Sequence, residues 1–549
     1  MLTRASHLNK TVIVYSAIML MALFLRLNHL NKFDLWFDEL ATEVFSAQNL
    51  NRWTDLAGTE MVSLAADWVK RDPHSPVYYA FIFLSSMITG DGTGLRLLSV
   101  MFSMLALGVF YKISRLFFDD RTSLTALAIM ALSPFHLWYA QEARAYAMAT
   151  FFLLAAFYAF MRGVMTGSTK YWASFVVAGV FSILSIYNSA VFLALTGGMF
   201  FIKDYRPYFR KWLLSLAGIC AVCLFAGGIF LPQADFVKND FWIRSPSPRT
   251  LLYTWHFFTL GYSATPAQYN IAIAPFLGLC AYGIYLYFRT DKRKVAMLFL
   301  LFTLPLAATF IFSKVFFPVY LYRQVIVYSP VYYLFIARGI QGIRPLAARI
   351  AAAVFVAAMM LMSIANYYEG YLLYGGDKTE LTNSIPPKKN YSAVLKRMLN
   401  EYQQGDLIAA ADLQAYAMTR SFVSKNLEGS NRTADGILKF LIFPRDLFAY
   451  DQRYLGIKDI IFGIPRAESV DLHELTALPG GEMGLAKSRI VQDGIRRIWV
   501  VSSSWLDLAP VEPNYLSLRG YLWNYYESKV LALKEGIQIE LFVRKENPN

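Results

Sequence analysis

The chain has 549 residues, 56% of them hydrophobic, 16% aromatic and 16% charged, with a formal net charge of +14. A soluble protein this apolar would expose an adhesive surface, so the composition excludes an ordinary soluble globular protein and favours a polytopic membrane protein. The positive charge is accounted for by short basic loops on one side of a membrane, and no nucleic-acid partner is called for.

The first apolar run, residues 12–27, lacks a small-residue cleavage site and reads as an uncleaved anchor. Ten further runs have the composition of membrane spans: residues 95–116, 123–138, 145–161, 171–186, 189–202, 212–231, 271–288, 295–312, 325–340 and 350–364. Charge parity decides the status of one more, residues 76–88. If it does not cross, the loops carrying Lys112/Arg115/Arg121, Arg162/Lys170, Lys203/Arg206/Arg210/Lys211, Arg289/Lys292/Arg293/Lys294 and Arg338/Arg344/Arg349 all share the side of Arg4 and Lys10. The positive-inside rule then predicts about eleven crossings, a cytoplasmic N-terminus, and residues 76–88 as a juxtamembrane helix on the outer surface. Cys220, Cys223 and Cys280 all lie in apolar runs and supply neither a disulfide framework nor a zinc site.

After about Tyr367 the character changes. A Pro/Gly-containing polar stretch, residues 375–390, reads as a linker between a membrane part (1–374) and an extracytoplasmic domain (391–549). There "YSAVLKRMLNEYQQG" has a helical pattern, followed by a short apolar run, "DLIAAAD". "KDIIFGI", "RRIWVVSSS" and "IQIELFVRK" read as strands, and "LWNYYESKVLALKEG" as a helix. The predicted architecture is a polytopic α-helical membrane part followed by a small α/β domain. No phosphate-binding glycine fingerprint and no Ser/His/Asp constellation is present in the sequence pattern.

Four predicted outer segments carry groups capable of chemistry. "LWFDEL" places Asp38 and Glu39 just beyond the first apolar run. A solvated loop with an interfacial Trp is the plain reading; a carboxylate that removes a proton from an attacking hydroxyl is the functional one. "WYAQEARAYA" places Gln141, Glu142 and Arg144 at a helix end, either as a local ion pair or cap, or as a cavity-lining acid with an arginine that binds an anion. "RDPHSPVYYAF" sets His74 before the apolar helix at 76–88; an isolated histidine is more often a surface residue than a catalyst. "PVYLYRQVIVYSP" puts Arg323 at a helix end, where it either snorkels to the interface or clamps a lipid phosphate.

Taken together and in order, "LWFDE", "HSPVYY", "SPFHLWYAQEARAYAM" and "YLYRQVIVYSP" resemble membrane glycosyltransferases of the GT-C fold, over roughly the first 340 residues. The type is that of the dolichyl-phosphate-mannose protein mannosyltransferases (glycosyltransferase family 39) and the lipid A aminoarabinose transferases. The resemblance implies an enzyme that moves a sugar from a polyprenyl-phosphate donor to a lipid, glycan or protein acceptor, with inversion, at the outer face of the plasma (inner) membrane. It implies Asp38 as catalytic base with Glu39 beside it, Glu142 as second acid, and Arg144, Arg323 and His74 as substrate-binding residues. In "HSPVYY", Ser75 stands where the family has a proline, and Glu43 follows the Asp-Glu pair without the full Tyr-Ala-Glu pattern of the aminoarabinose enzymes. No organic cofactor is implied, and Asp38, Glu39 and Glu142 offer oxygen ligands suited to a divalent metal. The competing class is a transporter or flippase of lipid-linked sugars. It would place polar groups at mid-membrane on broken helices or inverted repeats, and no such repeat is visible.

Overall fold

The structure, a computed structural model, describes residues 2–43, 76–89, 92–225, 245–371, 391–403, 406–410, 438–440, 496–503, 525–534 and 537–545, with positions 415, 418, 419, 422, 522 and 523. Its helices are α1 (Leu2–Leu27), α2 (Phe37–Glu43), α3 (Pro76–Thr89), α4 (Gly92–Phe117), α5 (Asp120–Leu132), α6 (Pro134–Ala140), α7 (Tyr146–Thr166), α8 (Thr169–Ser185) and α9 (Ser189–Leu195). There follow α10 (Phe209–Phe225), α11 (Pro248–Leu260), α12 (Pro266–Thr290), α13 (Lys292–Val315), α14 (Tyr322–Val325), α15 (Pro330–Gly342), α16 (Leu346–Glu369) and α17 (Ser392–Glu401). The strands are β1 (Leu407–Ala410), β2 (Leu438–Phe440), β3 (Arg497–Ser503), β4 (Tyr526–Lys534) and β5 (Ile537–Arg544). The chain divides into two compact units: Met1–Leu30 with Phe45–Ile385, and Asn31–Val44 with Pro386–Asn549.

The first unit is helical. Among the described residues, seven helices are long and apolar enough to cross a membrane, eight if the bent pair α5–α6 counts as one span. Eleven runs were expected at full length, and the other four form shorter or interrupted elements. Residues 123–138 become α5 and α6, which meet at 58°. Residues 171–186 become the 17-residue α8. Residues 189–202 break into α9 and a 3₁₀ turn, Thr196–Phe201. Residues 325–340 break into α14, a 3₁₀ turn and the 13-residue α15. The apolar α3 has 14 residues, too few for a hydrocarbon layer of ~30 Å. It lies against α4 and α8, with the Phe81 ring 5.5 Å from Phe102 and 6.2 Å from Phe181.

Close helix approach in this unit depends on small residues. A Cβ on Gly283 of α12 would collide with the backbone carbonyl of Phe335 on α15, and one on Gly339 with that of Leu279. In an apolar medium, where burial alone does not drive helices together, such backbone contact supplies the association energy through dispersion and weak polar contacts.

The second unit contains a mixed five-stranded sheet in the order β2-β1-β3-β5-β4. β1 runs parallel to β2 and β3, whereas β5 is antiparallel to both β3 and β4. α17 packs on β4 and β5, burying Val394, Leu395 and Met398. One expectation is corrected here. Most of "YESKVLALKEG", predicted helical, is strand β4, which pairs with β5 from Tyr526↔Arg544 to Lys534↔Ile537 with a register shift at Val530/Ala532. Its Glu, Lys, Leu and Ala favour a helix, but hairpin pairing with the strongly apolar β5 overrides propensity. The predicted strand "KDIIFGI" lies outside the described residues. The segment Asn31–Val44 groups with the C-terminal unit.

Candidate active site

The segment "LWFDEL" folds into the start of α2. Leu40 N donates to Trp36 O at 2.9 Å, closing the first turn with Trp36 as its cap. Glu39, at the third helical position, accepts from Trp36 N at 3.4 Å. This is the return half of a capping box, in which a carboxylate satisfies an otherwise orphaned donor. Glu39 is fully buried, while Asp38 is only partly so. Thr42 Oγ1 donates to the Asp38 carbonyl at 3.1 Å, tightening the same turn. The two adjacent carboxylates therefore differ in situation: Glu39 is turned inward onto its own helix start, and Asp38 is the more accessible of the pair.

In the first unit the turn "QEARA" sits between α6 and α7, and its position follows from the break between α5 and α6. Pro134 at the start of α6 has no N–H and ends the α5 ladder. Ser133 restores part of what is lost. Tyr333 donates its single proton to Phe258 O at 2.9 Å. The Ser133 hydroxyl, 2.8 Å from that phenol, must then donate to it, which leaves the Ser133 oxygen to accept from His136 N at 3.4 Å. Ser329 spends its proton on Ile326 O at 2.8 Å. His136 Nε2, 2.8 Å from Ser329 Oγ, is by the same reasoning the protonated ring nitrogen.

Past α6, Gln141 ties the turn to α1 and α16. Its Nε2 lies 2.7 Å from Asn28 O, 2.9 Å from Arg26 O and 3.3 Å from Leu25 O, and its Oε1 accepts from Tyr367 at 2.8 Å. Glu142 is fully buried. Its Oε2 accepts from Trp138 Nε1 at 3.0 Å, and its carbonyl accepts from Ser99 Oγ at 2.6 Å. Arg144, 3% exposed, donates its backbone N–H to Glu142 O at 2.8 Å. Arg323, 4% exposed, stands on the short helix α14. Buried charges of this kind cost several kcal/mol unless paired, and in membrane proteins such residues are candidates for a functional site.

Two phenols join these charges. Tyr139 and Tyr262 hydroxyls are 2.7 Å apart, each 1% exposed. Burial holds the Tyr262 phenol well above its ordinary range; the bond from Tyr139 and the Arg323 charge pull it down, and Glu142 pushes it up. Trp138 links Glu142 to this pair: its Nε1 bonds the Glu142 carboxylate, and its ring lies 5.3 Å from that of Tyr262. Tyr262 owes its place to Gly261, whose φ of +67° and ψ of −150° belong to a region open essentially to glycine alone. A Cβ at Gly261 would press on the backbone of Pro134 and Phe135.

Of the residues singled out in the sequence, Glu142, Arg144 and Arg323 are buried in the first unit, Asp38 and Glu39 lie on α2 of the second, and His74 lies outside the described residues. Tyr139 and Gln141 both lie in "WYAQEARAYA", but nothing in that pattern points to the phenol pair or to the anchoring by Gln141, and the Gly-Tyr pair at residues 261–262 is the available signal for Tyr262. Among the described residues no three of His, Cys, Asp and Glu converge as a ligand set for a metal ion.

Residues 73–229 match the sequence model of the dolichyl-phosphate-mannose-protein mannosyltransferase family. No curated protein matches the chain. Among solved structures the fold is similar to ArnT from Cupriavidus metallidurans in the apo state, at a TM-score of 0.58 and 11% identity over 97% of this chain and 98% of that one. It is also similar to the same protein bound to undecaprenyl phosphate, at 0.53 and 12% over 96% and 97%. The shared fold extends over nearly the whole of both chains.

Proposed function

We propose that the protein is an integral-membrane glycosyltransferase that moves a sugar from a polyprenyl-phosphate donor to an extracytoplasmic acceptor with inversion. The observation that carries this reading is the set of buried charged residues in the first unit, Glu142, Arg144 and Arg323, with Glu142 and Arg144 in the turn that follows a broken span. A guanidinium held in a dry setting stabilises charge developing on a leaving phosphate far better than one in water. Arg323, with Arg144, takes that role. Glu142, fixed by Trp138, orients the sugar hydroxyls or the guanidinium. Asp38, the more accessible carboxylate on α2, removes the acceptor hydroxyl proton. Attack at the anomeric carbon opposite the phosphate inverts its configuration and releases polyprenyl phosphate. The match of residues 73–229 and the similarity to a structure bound to undecaprenyl phosphate support the choice of donor. The basic loops support a cytoplasmic N-terminus and an extracytoplasmic C-terminal unit.

The test is transfer of label from a panel of radiolabelled polyprenyl-phosphate sugars into membrane extracts, comparing wild type, Asp38→Asn and Arg323→Ala. Loss of transfer in variants that insert and express normally is expected. Full activity of Asp38→Asn would remove the base from α2 and move it to Glu142. Absence of transfer by the wild type with every donor would overturn the donor class.

A further inference from the structure

We propose that Asp34 is a positioning residue for Asp38, latching the start of α2 to the N-terminus of α17 so that the C-terminal unit fixes the geometry of the base. The proposal rests on the reading of Asp38 as base.

The latch lies within the second unit. Both oxygens of the Asp34 carboxylate are engaged by one residue: Oδ2 accepts from Ser392 N at 2.7 Å, and Oδ1 from Ser392 Oγ at 2.7 Å. Ser392 opens α17, so its N–H is one of the donors that the helix cannot satisfy internally. A carboxylate there gains from the helix dipole and from charge-assisted bonding. One residue along, the buried Tyr391 donates its phenolic proton to Leu35 O at 2.9 Å. Residues 34 and 35 immediately precede Trp36, which caps α2, and Asp38 stands in the first turn of that helix.

The far end of the latch is rigid. α17 buries Val394, Leu395 and Met398 and packs on the β4–β5 hairpin, whose strands pair along almost their whole length. The near end is rigid as well: Trp36 is 2% and Leu40 4% exposed, and Glu39 closes the cap. The sheet therefore holds α17, α17 holds residues 34 and 35, and these set the first turn of α2. The sequence separations are 358 residues for Asp34–Ser392 and 356 for Leu35–Tyr391. No local preference of the loop could supply that constraint. On this reading the C-terminal unit is required for catalysis with every acceptor, whether or not it also selects among them.

The experiment measures kcat and donor KM for Asp34→Ala, Tyr391→Phe, Asp38→Asn and the double variant Asp34→Ala/Asp38→Asn in the full-length, detergent-purified enzyme. Misplacing a catalytic group by about 1 Å costs up to ~100-fold in rate. Asp34→Ala is expected to lower kcat by about 10- to 100-fold with donor KM within about twofold of wild type. Tyr391→Phe, which removes one hydroxyl and leaves the fold intact, should lower it less, and carries the test if Asp34→Ala does not fold. Because Asp34 acts through Asp38, the double variant should be no worse than Asp38→Asn alone. An inactive Asp38→Asn beside Asp34→Ala and Tyr391→Phe at wild-type kcat would overturn the latch and leave the base reading standing. Multiplied losses in the double variant would also overturn it. A fully active Asp38→Asn would overturn the base reading and the latch with it.

Discussion

Gln141 makes the sharpest stability prediction. Its amide is 2% exposed and offers two N–H groups to three carbonyls at the end of α1, while its oxygen receives the Tyr367 hydroxyl. Leu25 O has a second donor in Tyr368, so the dependence falls on Arg26 O and Asn28 O. Gln141→Leu deletes three neutral hydrogen bonds in a buried setting and strands two carbonyls and a phenol. At about 1 kcal/mol for each bond, the loss is about 3 kcal/mol. Gln141→Glu is the discriminating variant: it keeps the shape and the bond from Tyr367 but turns a carboxylate oxygen toward the α1 carbonyls. It should destabilise at least as much as Gln141→Leu, despite being the closer isostere. The assay is thermal unfolding of the purified protein in detergent, with donor transfer measured beside it. Both variants should melt several degrees lower and transfer roughly tenfold more slowly, because Glu142 adjoins the lost anchor. Melting and transfer indistinguishable from wild type in both would refute the claim that this amide holds the turn.

Gly283→Ala should impair folding of the first unit, since its Cβ meets the Phe335 carbonyl on α15; a fully folded yield in a detergent-resistance assay would contradict it. Gly261→Ala forces a side chain into a glycine region and against Pro134 and Phe135; transfer should fall through displacement of Tyr262, and wild-type rates would argue against a role for that phenol. Asp406→Ala removes the acceptor for Trp499 Nε1 at 2.7 Å and Gln403 N at 2.9 Å and the partner of Arg497 at 3.2 Å. The loss should be about 2–4 kcal/mol, read as increased protease sensitivity of the C-terminal unit. Burial lowers the pKa of His256 from its ordinary 6.5, so the unfolded chain binds the proton more readily than the folded one. Stability should fall as pH drops below about 6.5, and His256→Gln should flatten that part of the melting-temperature profile; an unchanged slope would refute the assignment.

Much of the membrane part was legible because an uninterrupted apolar run of span length is at home in a hydrocarbon layer and rarely anywhere else. Seven of the runs are long helices. The run at 123–138 was read as one span although Ser133-Pro134 carries a helix-start signal, a capping serine before a proline. Length alone masked that break. In the C-terminal unit, Ser392–Glu401 and the strands at 497–503 and 537–544 follow from local pattern. β4 does not, because its composition favours a helix and only its partner makes it a strand. Asp38, Glu142 and Arg323, to which the proposed function assigns the chemistry, are legible as charges next to apolar runs. The Tyr139–Tyr262 pair, 123 residues apart, and the Asp34–Ser392 latch were not, since nothing in either local sequence points to its partner.

The break at Ser133-Pro134 also accounts for how a membrane unit can hold a charged turn at all. A continuous span satisfies every backbone group internally and presents only side chains to its surroundings. Ending α5 at residue 132 frees carbonyls and N–H groups that must find new partners. Ser133 supplies one of them, its hydroxyl accepting from His136 N, and is itself held by Tyr333 of α15, while the His136 ring donates to Ser329 just ahead of that helix. Gln141 performs the same task at the other end of α6 for the carbonyls that close α1. The 58° bend carries the chain into a turn whose residues need not be apolar. Glu142 and Arg144 occupy that position. Ser133 and Gln141 thus do part of the work that main-chain bonds do in a straight span, and their loss should be felt first at the turn. This ties the stability of the fold to the placement of Glu142, and it makes the Gln141 variants a test of both.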